Sequence, residues 1–332
     1  MRTILSFNSN WSFIKDIKEI PGAIPTESEI VTLPHTWNAI DGQDGGNDYF
    51  RGTCAYVKAF RKEDLSAEGR HYLEIKGAAS SADVYLNGKH LCHHDGGFST
   101  WRVDLTDTLE EDNLLIISVD NAPNSTVYPQ VADFTFYGGL YRDVNLISVP
   151  DSHFDLDYYG TPGIKVTPVM EDKDAKVAVE VFLTNRQSSH TVRYSLKNRD
   201  GKVIGTFEGG TKANFRIQNA HLWNGRKDPY LYSMTAELMD GETVLDIVAT
   251  RFGCRSFMID PEKGFILNGA EYPLRGVARH QDRWQLGNAL LPEHHEEDIN
   301  LIMEMGCTTI RLAHYQHDQY FYDLCDEKGL VI

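Results

Sequence analysis

Six side chains of this 332-residue chain combine a reactive type with a placement that could use it. His280 and His314 each follow a short apolar run, and an imidazole at such a strand end can donate to or accept from a hydroxyl while its ring keeps water off one side. Arg311 lies inside the second of those runs. An inward guanidinium beside a carboxylate would hold that carboxylate ionised, whereas an outward one is a solvated charge. Arg279 and Asp282 bracket His280 and read as a strand-end ion pair, or as a support behind the groups that touch a ligand. Asp133 opens an aromatic run, Asp133-Phe134-Thr135-Phe136-Tyr137, that ends in Gly138-Gly139. A carboxylate on a glycine-rich loop can take two vicinal hydroxyls, and the flanking rings can pack on an apolar ligand face. The plainer alternatives are a satisfied structural histidine and a loop-capping aspartate.

The two histidines gain weight from the elements that must hold them. Residues 274–282 form an apolar run that ends in charged and imidazole side chains. Pro292 then stands near a helix start, with acids in the first turn where the helix dipole favours them. Ile299, Ile302, Met303 and Met305 make an apolar stripe at helical spacing, which Gly306 stops. Residues 308–313 are a β-branched run ending at His314. Asp318 can cap a second helix with Phe321, Leu324 and Cys325 on one face before Gly329, and residues 330–332 begin a third strand. Strands alternating with helices of this length require parallel pairing and right-handed crossovers, as in a doubly wound sheet or a (β/α) barrel. Chemistry in both folds gathers at the C-terminal strand ends, so Arg279, His280 and His314 are expected to face one mouth.

Upstream the signals are those of β modules. Residues 71–75 and 82–86 are strand-like, Asn87-Gly88 suits a type I′ turn, and residues 89–93 would be the returning strand. Residues 98–105 and 114–119 continue the series, which points to a jelly roll or a related sandwich. Beyond residue 150, Val177, Val179, Val181 and Leu183 alternate, residues 191–196 form another strand, and Asp200-Gly201 and Asp240-Gly241 mark two more hairpins. About seven strands in roughly 100 residues suit an immunoglobulin-like sandwich. Turns at residues 260–264 and 268–269 lead into the strand and helix segment.

Arg279-His280-Gln281-Asp282-Arg283, Glu304-Met305-Gly306, residues 310–315 and residues 321–330, in that order, resemble glycoside hydrolase family 2, most closely its β-galactosidases. Residues 133–144, Leu222-Trp223 and Pro229-Tyr230-Leu231-Tyr232 resemble that family's N-terminal modules. The resemblance covers nearly the whole chain. It implies a jelly-roll sugar-binding domain over 1–150, an immunoglobulin-like β-sandwich over 151–258, and the first three strands of a (β/α)8 TIM barrel over 259–332. The implied activity is retaining hydrolysis of terminal non-reducing β-D-galactosides. A β-glucuronidase or β-mannosidase of the same family, or a noncatalytic carbohydrate-binding protein, stands as the alternative. The resemblance further implies that His280 and His314 contact the sugar, that Asp133 reaches into the barrel site, and that Arg311 orients the nucleophile. Retention needs two carboxyl groups about 5–5.5 Å apart, and in that family both are glutamates on the fourth and seventh barrel strands. The chain is therefore expected to carry neither, to be inactive alone, and to associate through uncovered strand edges.

The totals narrow the partners. A net charge of −16 without a basic cluster disfavours nucleic acid and anionic membranes, and leaves a β-galactoside or its oligosaccharide as the expected ligand. No apolar run approaches the ~18 residues of a membrane helix. The first residues lack an apolar leader core, so a cytoplasmic location is expected, or a periplasmic or secreted one if a leader was removed. Cys54, Cys92, Cys254, Cys307 and Cys325 are scattered without a Cys-x-x-Cys pair and read as small apolar residues. His294-His295-Glu296-Glu297-Asp298 lacks the His-Glu-x-x-His spacing of zinc peptidases, and His93-His94 and His314-x-x-His317 are weak ligand pairs. No metal or required cofactor is expected within the chain, while the resemblance leaves room for a monovalent cation or Mg2+, and for a homo-oligomer, in the whole enzyme.

Overall fold

Alternation of buried and exposed side chains builds most of the chain. The computed structural model describes residues 1–43, 48–65, 69–129 and 131–332. They form two units, one of Arg2–Val149 with Gln281–Leu291, the other of Met1, Pro150–His280 and Pro292–Ile332.

The first unit holds β1 (Thr3–Ser6), β2 (Trp11–Ile14), β3 (Glu29–Val31), β4 (Thr53–Arg61), β5 (Arg70–Ile75), β6 (Ser81–Leu86), β7 (Lys89–Asp95), β8 (Trp101–Asp104), β9 (Asp112–Asp120) and β10 (Val144–Val149). They make two antiparallel sheets, ordered β1-β10-β5-β8 and β3-β2-β4-β9-β6-β7. Trp11, Tyr56, Leu73, Leu86, Leu115 and Val119 belong to its core. Truncating one such fully buried leucine to alanine costs about 2–5 kcal/mol. Asn87 and Gly88 both take positive φ (53° and 78°), as the type I′ turn requires. The expected strand over 98–105 shortens to β8.

The second unit begins with a sandwich of β11 (His153–Phe154), β12 (Ile164–Glu171), β13 (Asp174–Val181), β14 (Leu183–Thr184), β15 (Thr191–Lys197), β16 (Val203–Gly209), β17 (Lys212–Ile217), β18 (Tyr232–Asp240) and β19 (Thr243–Phe252). Its sheets are ordered β12-β13-β17 and β16-β15-β18-β19, with a short β11-β14 pair. Both Asp-Gly dipeptides turn the chain, yet only their glycines have positive φ. The first hairpin closes instead on Asn198, whose Oδ1 accepts from the Asp200 and Lys202 N–H groups. The turns around residues 260 and 268 belong to a third small sheet of β20 (Phe257–Asp260), β21 (Gly264–Leu267) and β22 (Ala270–Glu271).

Then β23 (Gly276–Arg279) and β24 (Thr309–Leu312) pair in parallel, with α1 (Pro292–Glu304) between them in sequence and α2 (Gln319–Lys328) after. The Ile310 N–H donates to the Val331 carbonyl at 2.9 Å, which starts a third parallel strand. Ile299, Ile302, Ile310, Phe321, Leu324 and Cys325 form the core between helices and strands. Asp318 Oδ1 caps α2 by accepting from the Tyr320 N–H. Only glycine fits at residue 276, because a Cβ there would lie 1.8 Å from the Thr309 carbonyl oxygen. Jelly-roll-like sandwich, immunoglobulin-like sandwich and opening barrel strands are thus the architecture that the sequence patterns anticipate. Burial pushes the Cys54 and Cys325 thiols up to about 12 and Cys254 to about 11, which keeps them protonated and unreactive.

Candidate functional site

The period of two along a strand decides where the polar groups go. In β23, Val277 packs on the helix-side core, and Arg279, two residues on, follows it. Arg279 is 7% exposed. Its Nε and Nη2 donate to Asp298 Oδ2 at 2.8 and 2.6 Å, its Nη1 to His317 Nδ1 and its Nη2 to His295 Nδ1, both at 3.1 Å. The guanidinium also stands 4.0 Å over the Phe321 ring. A guanidinium only donates, so both imidazoles accept through Nδ1 and carry their proton on Nε2. This corrects two expectations. Arg279 does not face the mouth, and its ion-pair partner is Asp298, not Asp282. Arg279 pins β23 to α1 and α2.

The opposite alternation brings His280, His314 and Arg311 together. Arg311 pairs in register with Ala278, on the strand face away from Ile310 and the helix-side core. The His280 and His314 rings meet edge to face at 5.2 Å between centroids. Tyr315 Oη lies 3.4 Å from His280 Nδ1. Arg311 Nη2 donates to His314 Nδ1 at 2.9 Å, which fixes His314 as a neutral imidazole protonated at Nε2. Arg311 is exposed on that face, opposite the buried face that Arg279 takes. Two imidazoles, a phenol and a guanidinium on one strand face suit a ligand rich in hydroxyls, and the cation favours an anionic group nearby.

Asp282 and Asp133 belong to the first unit. Asp282 Oδ2 accepts from Tyr137 Oη at 3.3 Å, and burial, with the Asp282 charge second, pushes the Tyr137 phenol up to about 12. Gln43 ties this segment down by donating to the Arg283 carbonyl at 2.7 Å and accepting from the Gln285 N–H at 2.7 Å. Gly138 is clamped between the Asn38 side chain and the Thr36 hydroxyl, and a Cβ there would reach 1.9 Å from Trp37. That clamp buries Tyr137, so it is no platform for a ligand. Arg51 covers the Phe136 ring at 4.8 Å. Asp133 itself is exposed at the start of the loop.

Sequence reasoning weighed His295, Asp298 and His317 only as metal ligands and gave Tyr315 no role. The signal for two of them was present, since His295 and Asp298 are three apart on α1 and so share a face. Among the described residues no group of three His, Cys, Asp or Glu side chains could hold a metal ion.

Three family models match the chain: "Glycosyl hydrolase 2 galactose-binding domain-like" over residues 49–133, "Glycosyl hydrolases family 2" over 162–255, and the "TIM barrel domain" of the same family over 259–332. A β-glucuronidase of Bacteroides fragilis is 37% identical over 99% of this chain and 49% of its own length. A β-galactosidase of Bacteroides ovatus is 30% identical over 98% of the chain and 40% of its own length. The crystal structure of an FMN-binding β-glucuronidase from Facaelibacterium prausnitzii L2-6 superposes with a TM-score of 0.92 at 45% identity, covering 99% of this chain and 51% of that one. The chain spans about half the length of the relatives it matches.

Proposed function

Since the chain belongs to glycosyl hydrolase family 2, we propose that its activity is the retaining hydrolysis of terminal β-D-glucuronides. The observation that carries this reading is the 45% identity, along 99% of the chain, to a β-glucuronidase structure, supported by the 37% identity to a curated β-glucuronidase. It replaces the galactoside expected from Arg279-His280-Gln281-Asp282. Three of those four side chains are occupied by protein groups: Arg279 by Asp298, His295 and His317, Gln281 by Arg142 and Asp282 by Tyr137. The motif therefore shapes a strand end and says little about the sugar. β-Galactosidase is the second reading, favoured by the relative from Bacteroides ovatus.

In this proposal His280 and His314 hold sugar hydroxyls, and His314 donates through Nε2 because Arg311 occupies Nδ1. Arg311 offers its charge to a carboxylate on the same strand face, where proximity lowers that group's pKa and keeps it ionised for attack. The test is a comparison of kcat/KM on nitrophenyl β-glucuronide, β-galactoside and β-mannoside with the longest product of the gene. Preference for the glucuronide supports the reading, and preference for either neutral sugar overturns it.

A further inference from the structure

Four strands edge the sandwich of the second unit, β12 and β17 in one sheet and β16 and β19 in the other. A free strand edge offers unpaired N–H and C=O groups to any second strand, so proteins blunt such edges with charge, proline or a covering segment. Three of the four are treated in this way. β12 carries Lys165 and Pro168, and β17 carries Lys212 and Arg216. β19 has β11 against it, where the Phe154 N–H donates to the buried Asp246 carboxylate at 2.9 Å. β16 has none of these devices. Its sequence, Val203-Ile204-Gly205-Thr206-Phe207-Glu208-Gly209, contains a single charge and no proline, and among the described residues only β15 pairs with it.

The same edge leaves apolar surface uncovered. Phe207 stands opposite the buried Tyr194, with ring centroids 6.1 Å apart. A Cβ on Gly205 would lie 3.1 Å from the Phe215 side chain of β17. Residues 205 and 207 therefore take the inner face of the sandwich, which the next strand of a sheet would ordinarily cover. Phe207 is instead 44% exposed, and the neighbouring Val203 and Ile204 are 46% and 43% exposed. An apolar inner face that stops at an unpaired edge gains from one more strand, through both main-chain hydrogen bonds and burial.

The order of residues along β16 names that strand, because it is complementary to itself. Antiparallel pairing about a two-fold axis through Gly205 sets Lys202 opposite Glu208, Val203 opposite Phe207 and Ile204 opposite Thr206, each pair occurring twice in an isologous interface. Opposite charges and an aromatic facing a β-branched residue are the cross-strand pairs that stabilise a sheet. Glycine on the axis lets the two backbones approach. An axis one residue away, at Ile204 or Thr206, loses both the charge pair and the Val203 to Phe207 pair. We propose that β16 is the dimer interface of this chain, where the four-stranded sheet continues into a second copy of itself. The inference is independent of which sugar the enzyme cleaves.

Sedimentation velocity of the whole chain tests it. The wild type should dimerise with a Kd of about 10 µM, as suits a small interface. Lys202→Glu and Glu208→Lys each set like charges opposite one another at two places, and each should weaken the dimer at least ~10-fold. The double variant restores opposite charges and should return to within about threefold of the wild type. Phe207→Lys, which puts a charge on the edge, should leave a monomer. All three positions are exposed, and circular dichroism of each variant checks that the sandwich still folds. If Phe207→Lys does not fold, the charge reversals decide. A monomeric wild type at about 200 µM, association that the single reversals leave unchanged, as the uncovered barrel strands would give, or a double variant as weak as the single ones would each overturn the proposal.

Discussion

Replacing Arg279 by alanine separates a structural pin from a ligand-facing residue. The side chain donates two hydrogen bonds to Asp298 and one each to His295 and His317, and is itself buried. Breaking a buried ion pair from one side costs about 3–5 kcal/mol. The Asp298 side chain is 33% exposed, so water recovers part of its solvation and the lower end, about 3 kcal/mol, applies. Loss of the contact with Phe321 adds about 1 kcal/mol. A total near 4 kcal/mol corresponds to roughly a thousandfold change in a local opening equilibrium. Hydrogen exchange reads it directly. The Ala313 amide, which donates to the Arg279 carbonyl, and the Ile310 amide, which donates to Val331, should exchange about a thousandfold faster, up to the ceiling set by unfolding of their unit. Amides of β9 should not change. Arg279→Lys keeps the charge but not the fork, and should fall between. An acceleration below about tenfold, or one shared equally by β9, would refute the pin.

Other consequences are smaller or more local. On nitrophenyl β-glucuronide, His280→Ala and His314→Ala should each lower kcat/KM by about 10- to 100-fold, the loss of one or two hydrogen bonds to substrate; a change under twofold would remove that residue from the binding role. His35, whose Nδ1 lies 2.8 Å from Tyr56 Oη, has its pKa lowered by burial from 6.5 to about 4. Its unfolded form therefore binds a proton that the folded form refuses. The associated stability is present above pH ~6.5 and is lost as pH falls towards 4, by up to about 3 kcal/mol. Urea titrations of the wild type and His35→Gln at pH 5 and pH 7.5 should show a smaller pH dependence in the variant. Gly276→Ala should destabilise the β23–β24 pair by several kcal/mol, because the strand must move off Thr309 to admit the methyl group. Exchange of the Ile310 amide at the wild-type rate would contradict this.

Local rules made much of the chain legible. Asn87-Gly88, the Asp318 cap, the stop at Gly329 and the apolar stripe from Ile299 depend on residues within one turn of each other, so their energetics are written in the neighbouring letters. The strand-then-helix order placed His280 and His314 at one end of parallel strands by the same logic. Even the inward course of Arg279 was available by counting two residues from Val277, but the charged run Arg279-His280-Gln281-Asp282 drew it towards the mouth. Other features had no local signal. Tyr137 is buried because Gly138 lets the chain close on Trp37, which is 101 positions earlier. Ser118 stands opposite Asp83 only through strand register, and register is set by the hydrophobic faces of whole sheets. Alternation along one strand tells which side a residue takes, whereas its partners across strands come from the packing of the sandwich, which no short stretch encodes.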